Sequence, residues 1–257
     1  MPLFEVKGLT KHFGGLRAVN TLDLFVEKGE IIGLIGPNGA GKTTVFNMVM
    51  GTYAPSAGQV IFDGKDITGQ KSYVIVHHGL ARSFQRTVLF SEMTVLQNIL
   101  LGFHLSSETR FWNSLFNSRS VQKKGTQLLE KAAEIADFME LGQSKDQLAG
   151  NLPHGHQRML GVAIALATHP ELILMDEPVT GMNPEETDRM MNKIREIRDQ
   201  GVTLLVVEHD MRLVMNLCDR LYVLNFGSKI AEGSPSEICK NQKVITAYLG
   251  SEYASVC

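Results

Sequence analysis

The chain has 257 residues, of which 44% are hydrophobic and 20% charged, enough apolar material for a sizeable core in one domain with subdomains. A formal charge of -2 argues against nucleic acid as a main partner, because such proteins carry a basic face that displaces counterions. Polar, charged or glycine residues break each apolar run before the roughly 18 residues needed to span a bilayer, and the start MPLFEVKGLTKHFGG lacks the apolar core of a secretory signal.

Residues 3–7 and 22–27 read as short strands, the second alternating Leu22, Leu24 and Val26 with Thr21, Asp23 and Glu27, and the two are expected to form an antiparallel edge. Ile31 to Ile35 is a short apolar run between Gly29 and Gly36, the pattern of a strand buried on both faces. Directly after it comes Gly36-Pro37-Asn38-Gly39-Ala40-Gly41-Lys42-Thr43, a full match to G-x-x-x-x-G-K-S/T in the strand-to-helix context that phosphate binding requires. Its glycines let successive N–H groups face phosphate oxygens at a helix N-terminus. Lys42 is expected to reach the β and γ phosphates, Thr43 to hold Mg²⁺, and Thr44 to support the cradle. This loop alone leaves GTPases, kinases and helicases open.

Residues 87–168 show little strand pattern, and Leu128, Ala132, Ile135 and Met139 fall on one helical face. A polar stretch over 104–120 carries Phe111, Trp112, Leu115 and Phe116 at helix-like spacing and is expected to be a local packing helix or a partner-facing insertion. Further buried-strand runs at Leu172 to Met175 and Thr203 to Val207 imply a parallel sheet with crossover helices. The first of these ends in Asp176-Glu177. Beside a phosphate loop that pair divides into a carboxylate for the magnesium shell, Asp176, and one that orients and polarises an attacking water, Glu177. Asn183 is expected to cap a helix with Pro184, Glu185 and Glu186 in its first turn and Met190, Met191, Ile194 and Ile197 as its buried stripe. Leu221 to Leu224 with Gly227 and Gly233 reads as a strand and hairpin before a terminal helix. The cysteines Cys218, Cys239 and Cys257 have neither zinc-site spacing nor the even count of a disulfide framework, so a reducing compartment is expected.

With these motifs in order, the chain resembles the ABC-transporter ATPase family from about residue 4 to residue 250. The resemblance implies an α/β fold, a P-loop NTPase (RecA-like) parallel-sheet core with an antiparallel β edge and an inserted helical subdomain. The core would comprise 4–86 and 169–250, and the subdomain 87–168. It further implies that Phe13 stacks on adenine, that Gln85 in ARSFQRTVLF touches Mg²⁺ and the attacking water, and that His209 in VVEHD contacts the γ-phosphate. The segment Thr180-Gly181-Met182-Asn183 would meet a partner subunit across the nucleotide, and Asn183 departs from the usual aspartate.

In that family two cassettes close head to tail, each nucleotide lying between one phosphate loop and the partner's LSGGQ-like signature. Here the signature reads Leu152-Pro153-His154-Gly155-His156. Proline removes both the serine hydroxyl and its N–H, so a heterodimer with a second ATPase subunit that carries an intact signature is expected, the alternative being a homodimer for which Gly155 and the dipole of the following helix suffice. The segments KHFGGLRAVNTLDL and VVEHDMRLVMNLCDRLYVLNFGSKIAEGSPSEI are similar to the branched-chain amino-acid importer subgroup. That implies ATP hydrolysis at the cytoplasmic face of the membrane, two permease subunits and an extracytoplasmic solute-binding protein. Urea or amide import, lipopolysaccharide export and a soluble non-transport scaffold are the alternatives, and Pro153 points away from the homodimeric exporter.

Overall fold

The computed structural model describes residues 1–83, 89–106, 119–209 and 211–248. The N-terminal strands β1 (Phe4–Phe13) and β2 (Leu16–Val26) pair antiparallel from Phe4 opposite Val26 to Phe13 opposite Leu16. Both are longer than the sequence pattern indicates. Register shifts between Val6 and Leu9 and between Leu9 and Lys11 are bulges that break the alternation while the ladder continues past them. Next follow β3 (Ile31–Ile35), α1 (Lys42–Val49), β4 (Ala57–Phe62), β5 (Lys65–Asp66), α2 (Ser72–His77) and β6 (Leu80–Ser83). Strands β1, β2, β4 and β5 form an antiparallel sheet in the order β2-β1-β4-β5.

Between β6 and the next strand lie the helices α3 (Val95–Ser106), α4 (Arg119–Phe138) and α5 (His154–Leu166). Then come β7 (Leu172–Asp176), α6 (Pro184–Asp199), β8 (Thr203–Val207), α7 (Met211–Leu217), β9 (Arg220–Asn225), β10 (Ser228–Gly233), α8 (Pro235–Cys239) and α9 (Gln242–Tyr248). Two short helices thus stand where the sequence pattern indicates one. The main sheet has the order β10-β9-β3-β8-β7-β6. It is parallel throughout except for the β9–β10 hairpin.

The apolar strand runs follow from burial on both faces. Along β3, Ile31 and Ile35 join one hydrophobic cluster while Ile32 and Leu34 join the other. In β7 the division is Ile173 and Met175 against Leu172 and Leu174, and in β8 Leu204 and Val206 against Leu205 and Val207. With both sides covered, alternation disappears and the strands read as near-continuous apolar runs, with Thr203 opening β8 and Asp176 closing β7 as buried polar ends. One face packs on α1 and the antiparallel sheet. The other joins α5, α6 and α7 and the buried residues Val95, Ile99, Ala132 and Met139 of the helical region in a single cluster.

Helix α6 begins as its sequence predicts. The Asn183 side chain accepts from Glu186 N at 3.0 Å, and Glu186 Oε2 accepts from Asn183 N at 3.0 Å, which satisfies two helix-end donors reciprocally. Met190, Ile194 and Ile197 are buried.

Candidate active site

The three central parallel strands β3, β8 and β7 are neighbours, and their C-terminal ends open onto one edge of the sheet, the usual place for ligands in such folds. The loop leaving β3 is Gly36–Thr43. Gly36 has φ 151° and Gly41 φ 104°. A Cβ at Gly36 would collide with the Leu224 carbonyl oxygen of β9, and one at Gly41 would lie 2.6 Å from the Ala18 carbonyl oxygen of β2. The loop is therefore clamped from both sides and admits only glycine at these two points. Lys42 opens α1 and is 8% exposed. Its Nζ donates to Gly36 O at 2.6 Å and to Pro37 O at 3.1 Å. Burial lowers the Lys42 pKa from its ordinary value, and the charges of Glu177 and Asp176 act against that shift. Within the loop, Ala40 is buried, Asn38, Gly39 and Thr43 are exposed, and Pro37 and Thr44 are half-buried.

Asp176 closes β7 and is 2% exposed. Its Oδ2 accepts from Arg82 Nη2 at 2.7 Å, and Arg82 Nη1 donates to Asn47 Oδ1 at 2.8 Å. Burial raises the Asp176 pKa above the usual carboxylate range despite the opposing Arg82 ion pair. Its other oxygen, Oδ1, is buried with no hydrogen-bond partner among the described residues, a costly state for a carboxylate unless a cation or water serves it.

Glu177 extends the β7–β8 ladder by donating its N–H to Val207 O at 2.9 Å, but its φ is +49°. For a residue with a Cβ this left-handed conformation costs about 1–2 kcal/mol, strain of the kind that gathers at functional sites. Glu177 Oε2 accepts from Thr180 Oγ1 at 3.3 Å, and Oε1 lies 3.6 Å from His209 Nδ1. His209 is more than half exposed at the end of β8. The fully buried Glu208 beside it accepts from Val179 N at 3.3 Å and from His209 N at 3.2 Å.

Thus Lys42, Asp176, Glu177 and His209 gather at one end of the sheet. Phe13 ends β1 with 43% exposure and meets Tyr53 edge-on, ring centroids 5.5 Å apart, so it is not a core residue. Gln85, and likewise Phe111, Trp112, Leu115 and Phe116, lie outside the described residues.

Residues 19–180 match the ABC transporter family, and residues 228–254 match the branched-chain amino acid ATP-binding cassette transporter family. The first match covers more than half of the chain. This chain belongs to the ABC transporter family. The cassette is 42% identical over 250 residues to the high-affinity branched-chain amino acid transport ATP-binding protein BraF of Pseudomonas aeruginosa, covering 97% of this chain and 98% of BraF. LivG of Escherichia coli, of the same description, is 41% identical with the same coverage. Among solved structures, a nucleotide-free ATP-binding cassette from an ABC transporter superposes with a TM-score of 0.85 at 34% identity, over 96% of this chain and 99% of the other. The ADP conformation of the ABC cassette MJ1267 gives 0.84 at 33% identity, over 98% and 100%. The cassette is an ATP-binding and ATP-hydrolysing transporter subunit, and the fold class read from its sequence holds.

The start of α5 packs against the 180–183 segment and the first turn of α6. A Cβ at Gly181 would sit 3.1 Å from His154 Cε1, and one at Gly155 would meet the Glu186 carboxylate at 2.6 Å. Pro153 is the N-cap of α5 and contributes no side-chain cap. Two residues of the site are absent from the sequence expectations, Arg82 and Glu208. Their signals were a charge inside the small strand LARS and an acid directly after the buried run of β8, the same position that Glu177 holds after β7.

Proposed function

We propose that this cassette hydrolyses ATP at the cytoplasmic face of a membrane to drive import of branched-chain or related amino acids through two separate permease subunits, with an extracytoplasmic binding protein supplying the solute. What carries the solute class is identity to BraF and LivG along nearly the whole length, joined by the match of 228–254 to the branched-chain cassette family. Among the described residues no helix is long and apolar enough to cross a membrane.

In the site, Gly36 to Thr44 would cradle the phosphates, with Lys42 countering their charge and Phe13 stacking on the adenine. Glu177 would accept a proton from the attacking water and orient it, and His209 would hold the γ-phosphate side of the site. The buried Asp176 Oδ1 that lacks a partner among the described residues and the exposed hydroxyl of Thr43 are hard oxygen donors suited to Mg²⁺; Gln85 would join them. When bound, that ion would offset phosphate charge.

For the permease we propose a groove of about 750 Å³ between α2 and the helices α3 and α5, lined by Tyr73, Phe90, Leu105, Ile164 and Arg82. Tyr73, Phe90 and Leu105 are 59%, 53% and 51% exposed, an apolar strip that a partner helix would cover. Residues 4–86 and 169–250 would form the nucleotide-binding core and 87–168 the subdomain that carries this groove.

The degraded signature at Pro153 to His156 supports pairing with a second, different ATPase subunit, across whose nucleotide Thr180 to Asn183 would signal. Gly155 and the α5 dipole remain to face the partner's nucleotide. Size-exclusion chromatography with ATP and Glu177→Gln should show a dimer only after that second subunit is added; a stable homodimer would overturn the asymmetric pair. Solute class is tested in proteoliposomes that hold the assembled transporter and binding protein. ATP-driven uptake of leucine that requires this cassette is expected, and uptake of urea without leucine would refute the amino-acid assignment.

A further inference from the structure

Among the described residues, Glu208 is the one acid at this edge of the sheet for which the proposed chemistry has no use, yet it is wholly buried. It stands at the exit of β8, directly before His209, and its two oxygens serve two different loops. Oε2 accepts from the backbone N–H of His209 at 3.2 Å, and Oε1 from the backbone N–H of Val179 at 3.3 Å. Val179 lies two residues after Glu177, in the turn where Met182 N donates to Val179 O at 3.0 Å and Thr180 N to Glu177 O at 3.3 Å. One carboxylate thus ties the His209 backbone to the turn that runs from Glu177 into the 180–183 segment.

A buried acid is costly unless its oxygens are hydrogen-bonded, and an apolar side chain at this position would extend the core without that penalty. What the carboxylate supplies instead is geometry. His209 is more than half exposed and its Nδ1 sits 3.6 Å from Glu177 Oε1, so the imidazole has little packing of its own to hold it there. Its backbone N–H is held by Glu208, and the same carboxylate holds the N–H of Val179, in the turn two residues after Glu177.

We infer that Glu208 is a positioning residue for ATP hydrolysis, bridging the His209 loop and the turn after Glu177 so that the two reacting side chains keep their mutual placement. Resting on the proposed roles of Glu177 and His209, it adds that their alignment is set by a third, buried acid rather than by either loop alone. Because the bridged turn leads directly into Thr180 to Asn183, a disturbance at the partner subunit's side would reach His209 through Glu208.

The test is a double-mutant cycle on the assembled transporter. Glu208→Ala should lower kcat at least tenfold while changing the affinity for a fluorescent ATP analogue less than threefold. Glu208→Gln, which keeps one acceptor oxygen, should fall between it and the unaltered protein. In a His209→Ala background, Glu208→Ala should cost less than threefold more, because the group it positions is gone. Amide hydrogen exchange at Val179 and His209 should quicken in both Glu208 variants while exchange in β3 stays unchanged.

Unaltered kcat in Glu208→Gln, or an equal cost of Glu208→Ala with and without His209, overturns the inference while leaving His209 in the mechanism. Full turnover in His209→Ala alone overturns the role of His209 and the inference together, so the two failures are distinguishable. If Glu208→Ala does not fold, Glu208→Gln and its cycle with His209→Ala decide the matter.

Discussion

Replacing Arg82 by methionine removes the only ion-pair partner described for Asp176 while keeping much of the apolar stem. The Asp176 side chain is 1% exposed and that of Arg82 11%, so water cannot take over the lost contact. Breaking a buried pair in this way costs about 3–5 kcal/mol. The carboxylate has one escape, which is to bind a proton. From its ordinary value of 3.8, staying protonated at pH 7 costs about 4 kcal/mol at 1.36 kcal/mol per pH unit, and at pH 5 about 1.6 kcal/mol. These figures cap the loss at each pH. Burial already holds the Asp176 pKa above its unfolded value in the unaltered protein, with Arg82 opposing that shift; without Arg82 the folded-state pKa rises further, so the extra loss grows as pH rises through that window. Urea unfolding followed by circular dichroism should therefore show Arg82→Met losing about 3–4 kcal/mol at pH 7, a midpoint shift of about 1 M, and less than about 2 kcal/mol at pH 5. Adding Asp176→Asn should restore most of the loss at pH 7. A loss below about 1 kcal/mol at pH 7, or an equal loss at both pH values, would refute the reasoning.

Glu177→Gln should still bind ATP but lose on the order of a hundredfold or more in turnover; near-normal hydrolysis by the assembled transporter would remove Glu177 from the chemistry. Lys42→Ala should weaken ATP binding itself, measured by titration with a fluorescent nucleotide, and unchanged affinity would contradict the phosphate-loop role. Asn183→Ala should lower stability by about 1 kcal/mol through loss of the α6 cap, read as a drop in thermal midpoint, whereas Asn183→Asp should not. Burial raises the Glu208 pKa above its ordinary value of 4.5, with the backbone donors Val179 and His209 opposing. Folded protein thus holds this proton more tightly than the unfolded chain, and the Glu208 contribution to stability declines as pH rises upward from 4.5. Urea midpoints should accordingly move in favour of Glu208→Gln over the unaltered protein between pH 4.5 and 8, and a constant difference across that range would show the carboxylate to be unstrained by burial.

The parts of this molecule legible in its sequence are those whose cause is local. Strands β3, β7 and β8 are buried on both faces, so each announces itself as an unbroken apolar run, and the loop after β3 is a contiguous motif whose glycines answer to a fixed backbone path. The α6 start is likewise written in consecutive residues, Asn183 to Glu186. Strand β6, with the sequence LARS, carries no such pattern. Parallel pairing with β7 and an ion pair to an acid 94 residues away define it. Helix α2 is rich in β-branched residues, SYVIVH, and is helical because Ile75 is buried against the cluster beneath it, a tertiary override of local preference. Lys42, Asp176 and Glu177 were identifiable because each belongs to a motif. Arg82 and Glu208 were not, since what defines them is a partner reached only on folding, in the case of Glu208 a backbone N–H 29 residues distant.

The hydrophobic cluster on one face of the main sheet runs without interruption from β3, β7 and β8 through α5 into Val95, Ile99 and Ala132. Interdigitated side chains do not swing apart like leaves on a flexible strap; they slide over one another in small steps or stay put. Any displacement of the helical region against the sheet is therefore a shear of packed surfaces. Heated in a calorimeter, the two regions should melt together as one cooperative unit.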